Sequence, residues 1–180
     1  MRLRAFAVVL LMFSGSCAAA SPLADLTDAI AARLLLMDDV ARYKWNHAQP
    51  IVDPEREAAL LERATADAVA LGLPEAYARR VLAAQIEASR TLQLKLFATW
   101  RSEQQPPFPG VPDLAAVQRP GIDGATHRLL EQLKASLCSL TQDDARTAIE
   151  TPPTSLADQP AAWSIAIAAL WSVPDESCPH

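Results

Sequence analysis

The chain reads as an all-α protein, a single-domain bundle of about six helices, on three observations. Apolar residues fill 51% of its 180 positions while glycine supplies only 5, a balance that suits packed helices. Apolar side chains recur at steps of three and four along most of the length. No stretch shows the alternating β-branched pattern of a half-buried strand. A chain of this size has enough interior for one core.

Residues 1–20 stand apart from the fold. Arg2 and Arg4 precede an apolar run from Ala5 to Phe13, and small residues lead to Ala18-Ala19-Ala20. This is the layout of a secretory signal, too short to span a bilayer, with cleavage expected after Ala20. Its removal takes two arginines and no acid, so the net charge falls from −5 to −7. Neither value suits a nucleic-acid surface, and no later apolar run is long enough for a membrane helix, so neither partner is expected after cleavage. Ser14-Gly15-Ser16-Cys17 is a faint lipoprotein box, but Ser14 stands where a larger apolar residue belongs. Loss of Cys17 with the signal leaves Cys138 and Cys178, an even pair that in an exported chain reads as a disulfide.

The mature domain, 21–180, divides into helices in order. Leu26, Ile30, Leu34, Met37 and Val40 define a first helix from Pro22 to about Asn46. Asp53-Pro54 is an N-cap followed by proline at the first helical position, opening a second helix with Leu60, Leu61, Ala64 and Val69 as its inward stripe. Gly72-Leu73-Pro74 interrupts it, and a third helix follows to about Ser102. Gln104 to Gly124 is proline-rich and reads as an irregular connection. A fourth helix is expected from about Gly124 to Leu140, and weaker patterns place helices near Gln142–Glu150 and Ser155–Trp171.

Polar groups interrupt the apolar stripes. Arg33 lies three residues after Ile30 and four before Met37, and Lys44 follows Val40 by four. Gln85, Ser89 and Gln93 share one face of the third helix, beside Leu82, Ile86, Leu92 and Leu96. Inward cations need an anion, and no helix offers a matching row of inward carboxylates. The spacing is also compatible with Arg33 and Lys44 snorkelling to the surface on their apolar stems. The three histidines have no metal-ligand spacing.

Several short motifs run in order: Leu26 to Arg33, Tyr43-Lys44-Trp45, Pro50-Ile51-Val52-Asp53-Pro54-Glu55-Arg56, Gln85-Ile86-Glu87-Ala88-Ser89 and Phe97-Ala98-Thr99-Trp100. Together, behind a signal segment, they resemble the secreted subclass of the all-helical (type II) chorismate mutases. The resemblance covers about 23–133, the pocket-forming part, and is weak over the C-terminal helices, 141–180. It implies an isomerase that rearranges chorismate to prephenate with no cofactor and no metal, acting as a homodimer in the periplasm or outside the cell. It further implies that Arg33 grips a substrate carboxylate and that Lys44 touches a carboxylate and the ether oxygen. Asp53 and Arg56 would form the start of the second helix beside the substrate hydroxyl, with Glu57 as a further acceptor. Ser89 would bind a carboxylate, Gln93 would donate to the ether oxygen, and Arg128 would supply the last cation. Some relatives carry Glu where Gln93 stands; an acid donates only when protonated, an amide at any ordinary pH. The rival reading is an exported, non-catalytic binding protein for an aromatic dicarboxylate.

Overall fold

The computed structural model describes residues 21–178; the signal segment and Cys17 lie outside them. Among the described residues there are six α-helices and no strand. The first, α1 (Pro22–Asn46), is capped by Ser21, whose hydroxyl accepts from the Ala24 amide at 3.2 Å. It buries Leu26, Ile30, Leu34, Met37 and Val40 as the periodicity requires, and Arg33 with them. The next, α2 (Pro54–Ala70), starts where Asp53 Oδ1 accepts from the Arg56 amide at 3.1 Å. Its buried stripe is Ala64, Thr65 and Ala68, whereas Val69 is 47% exposed. A residue directly after Ala68 sits about 100° further round the helix, so Val69 turns to solvent.

The long α3 (Glu75–Ser102) runs from Pro74 and buries both apolar and polar residues along its length. Schellman closures end all three helices. The left-handed residue is Gly72 after α2 (φ 79°), but Ala48 after α1 (φ 49°) and Gln104 after α3 (φ 51°). In each, the following amide reaches back five residues: Gln49 to Lys44 O, Leu73 to Ala68 O, Gln105 to Trp100 O.

The proline-rich connection is shorter than expected. Asp113 Oδ1 caps the Ala116 amide at 2.7 Å and opens a π-turn, Leu114–Gln118, which runs directly into α4 (Arg119–Ser136). The expected start at Gly124 was five residues late for α4 and ten for the turn that leads into it. Pro120 fits because it occupies the first turn of α4, where a missing N–H costs nothing, and because the turn before it is wide, with Arg119 N–H bonding Leu114 O. Asn46 ties the loop to α1, donating to Phe108 O and accepting from Phe108 N–H, both at 2.8 Å.

Two short helices finish the chain, α5 (Ala145–Glu150) and α6 (Pro160–Ile167). They are not an appendage. Tyr77 donates to Leu170 O at 3.0 Å, Trp163 to Ile149 O at 3.0 Å, and Gln85 to Ala166 O at 2.9 Å. Ile149, Leu156, Trp163 and Leu170 belong to the same apolar core as α1, α3 and α4. Cys138 and Cys178 form a disulfide with Cα atoms 5.4 Å apart, fastening the end of α4 to the tail. Trp45 and Trp100 pack with Phe97 and Phe108 in a small aromatic cluster.

Candidate active site

Between α1, the first turn of α2, α3 and the start of α4 lies a cavity of about 730 Å³. Its lining includes Arg33, Lys44, Asp53, Arg56, Glu57, Ser89 and Gln93, so the residues singled out on three separate helices meet at one place.

Arg33 sits deepest, 2% exposed. Its Nη1 donates to Gln85 O at 3.0 Å and Ser89 Oγ at 2.9 Å, and its Nε donates to Thr126 Oγ1 at 3.2 Å. Burial alone lowers its pKa from 12.5 to about 10. It forms no ion pair with any carboxylate of the described residues. The snorkelling alternative is thereby removed for Arg33, which points inward and stays there.

Lys44 is half-buried and donates to Ile51 O at 2.6 Å. Desolvation lowers its pKa, Asp53 and Glu57 oppose that shift, and Arg119 adds to it. Lys44 too is without an ion-pair partner among the described residues. Arg56 reaches Asp123 at 3.5 Å, an acid it shares with Arg63 at 2.7 Å. Gln93 donates to Ser89 O at 3.0 Å, and its other contact is Met37 Sδ at 3.8 Å, a weak acceptor that a ligand oxygen would readily replace. Ser89 donates its one proton to Gln85 O at 2.7 Å while accepting from Arg33. In this arrangement its hydroxyl steadies Arg33 and commits its one proton to Gln85 O. Gln85 is turned away altogether, toward α6.

Two cations of the cavity escaped the sequence reading, and one expected residue is elsewhere. Arg128 is exposed on α4 and does not line the cavity. Arg119, nine residues earlier, does, and it makes no ion pair with the described residues. Arg119 reaches the cavity because the π-turn leads directly into α4. Leu114 and Arg119, five apart, would point about 140° apart on an α-helix, whereas a π-turn brings such residues to one face. Arg90 also lines the cavity and grips Glu57 with two donors, Nε to Oε1 at 3.0 Å and Nη2 to Oε2. That pair, with Glu87 beside it, holds the Arg90 pKa above its ordinary value. No pattern along α3 could have revealed it, because its partner lies on α2.

The balance of charge defines the site. Arg90 is paired with Glu57 and Arg56 with Asp123, and Asp53 and Glu55 also line the cavity, yet Arg33, Lys44 and Arg119 face it with no acid in ion-pair contact among the described residues. Leu60, Ile86, Leu114 and Ile122 complete an apolar wall. No cluster of His, Cys, Asp or Glu among the described residues has the makings of a metal centre. Fold and site together define a helical bundle whose cavity has the charge and lining to suit a small, apolar-bodied polyanion.

Comparison with known proteins carries this further. The chorismate mutase type II family model matches residues 24–94, from α1 through most of α3. The secreted chorismate mutase of Mycobacterium tuberculosis is 34% identical over 133 residues, 70% of this chain and 66% of that protein. That of Mycolicibacterium smegmatis is 30% identical across 73% of this chain and 76% of its own length. The crystal structure of chorismate mutase from Burkholderia thailandensis superimposes with a TM-score of 0.73 at 34% identity, covering 84% of this chain and 99% of that one. The chain belongs to the type II chorismate mutases. Its similarity to secreted members extends beyond the 24–94 stretch, into α4.

Proposed function

We propose that this protein is an exported chorismate mutase, converting chorismate to prephenate outside the cytoplasm. The observation that carries this reading is the trio of Arg33, Lys44 and Arg119, cations around one cavity with no carboxylate in contact. Chorismate brings two carboxylates on an apolar carbon frame. Binding both at fixed points holds the compact conformer in which the bond-forming carbons approach, replacing a rare conformational encounter by a preorganised one. As the ether carbon–oxygen bond lengthens, negative charge grows on that oxygen. Lys44 and the amide N–H of Gln93, now held only by Met37 sulfur, are the donors available to it. Glu57, fixed by Arg90, has lone pairs left to accept the ring hydroxyl. Nothing covalent is required of the protein, which agrees with a site lacking an activated nucleophile. The secreted relatives and the leader at 1–20 support export, and a homodimer is proposed by family analogy, to be checked by light scattering.

The test is chorismate supplied to the purified mature chain. Its disappearance matched by prephenate supports the enzyme. Saturable binding without turnover supports instead a binding protein that shares the cavity, and no binding refutes both.

A further inference from the structure

Arg33 is held from two helices, and one of the two grips lies outside the cavity. Ser89, which accepts from Nη1, lines the cavity; Thr126, which accepts from Nε at 3.2 Å, is buried on α4 and does not. The Thr126 hydroxyl has a single proton, and that proton is committed to Ile122 O at 2.8 Å, one turn back on α4. Its oxygen therefore meets Arg33 only as an acceptor, with its rotation fixed.

A guanidinium presents its donors in a rigid plane. Holding Nε from α4 and Nη1 from α3 sets the orientation of that plane and the direction of the remaining nitrogen, Nη2, which makes none of these bonds. We infer that Thr126 is a positioning residue for substrate binding: its locked hydroxyl fixes the plane in which Arg33 offers Nη2 to a substrate carboxylate. The inference rests on the function proposed above. Thr126 is 93 residues from Arg33 in sequence, which is why no spacing rule could have paired them.

Two substitutions isolate the hydroxyl. Thr126→Val keeps the shape and removes the acceptor, whereas Thr126→Ser keeps the acceptor. Carboxylate binding by Arg33 is present in ground state and transition state alike, so its loosening is read in KM. For Thr126→Val, kcat/KM toward chorismate falls about ten- to a hundredfold, the range for a hydrogen bond to a charged group. KM carries most of that loss, and Thr126→Ser keeps the wild-type KM. A residue that only supported folding would reduce the active fraction, lowering kcat at unchanged KM. An unchanged KM in Thr126→Val overturns the inference, and so does a Thr126→Ser KM raised as far as that of Thr126→Val. Should Thr126→Val not fold, Thr126→Ala gives the same readout from a smaller, helix-favouring side chain. An inactive wild type refutes the proposed function and this role with it, while an active wild type with an unaltered Thr126→Val KM refutes this role alone.

Discussion

Replacing Arg33 with methionine separates its two conceivable roles, because the structure makes the cost to folding small. Met keeps the apolar stem and removes the guanidinium. The groups that Arg33 bonds are each satisfied without it: Thr126 donates to Ile122 O, and Ser89 donates to Gln85 O. The substitution therefore strands acceptor lone pairs but no buried donor. A fall in pKa from 12.5 to about 10 corresponds to roughly 3 kcal/mol of penalty on the charged form, which the change relieves. Three hydrogen bonds to the charged guanidinium are lost in return, about 1.5 kcal/mol each at the low end of the range for charged groups. The stability of Arg33→Met should thus stay within about 1–2 kcal/mol of wild type, by urea unfolding followed by circular dichroism. Its kcat/KM toward chorismate should fall by about a hundredfold or more, with KM carrying most of the loss, since a preorganised charge of this kind contributes roughly 3–4 kcal/mol. A variant that unfolds readily while its folded fraction stays fully active would refute the reasoning. Arg33 would then be a structural strut.

Other predictions follow from the same geometry. Arg119→Ala should raise KM and lower kcat/KM by about tenfold or more, whereas Arg128→Ala should change neither; the reverse pattern would restore Arg128 to the site. Because Gln93 does not titrate, kcat/KM should stay level from about pH 5 to 8, and a steep loss between pH 5 and 7 would remove Gln93 from its role. On the alkaline side, burial makes the Lys44 ammonium lose its proton below the ordinary 10.5, so kcat/KM should decline with an apparent pKa under that value, and Lys44→Arg should move the decline upward. Cys138→Ser should cost about 3–4 kcal/mol of stability, by chemical denaturation, with KM near wild type; a folded but inactive variant would contradict that division. Ala48→Gly and Gln104→Gly should each stabilise by about 1 kcal/mol, since both residues hold left-handed φ at helix ends.

What was legible in the sequence was what local rules govern. The Asp53-Pro54 start, the long apolar stripes and the Gly72 stop set α1 to α3 within a residue or two. Arg33 and Lys44 stood out because each occupies an apolar stripe, and spacing left their direction open until the fold decided it. Less legible was anything that depends on packing between helices. The start of α4 hid behind prolines, because Pro120 reads as a breaker until a wide turn and an Asp113 cap make room for it. Arg128 was expected from the family resemblance, and the cavity lining holds Arg119 in its stead. Arg90 and Thr126 were invisible for a related reason: each acts through a residue on another helix. Ser89 and Gln85 shared a face with Gln93 but face different tasks, one steadying Arg33 and the other joining α3 to α6.

The central claim is that cavity cations without an ion-pair partner hold a dicarboxylate in a compact shape. A rigid bicyclic dicarboxylate shaped like that conformer tests it most directly, by its inhibition constant against chorismate turnover. Competitive inhibition with a constant well below the chorismate KM is predicted, weakened about a hundredfold in Arg33→Met and in Arg119→Ala and unchanged in Arg128→Ala. Inhibition that is non-competitive, or equally strong in Arg33→Met, would contradict the account.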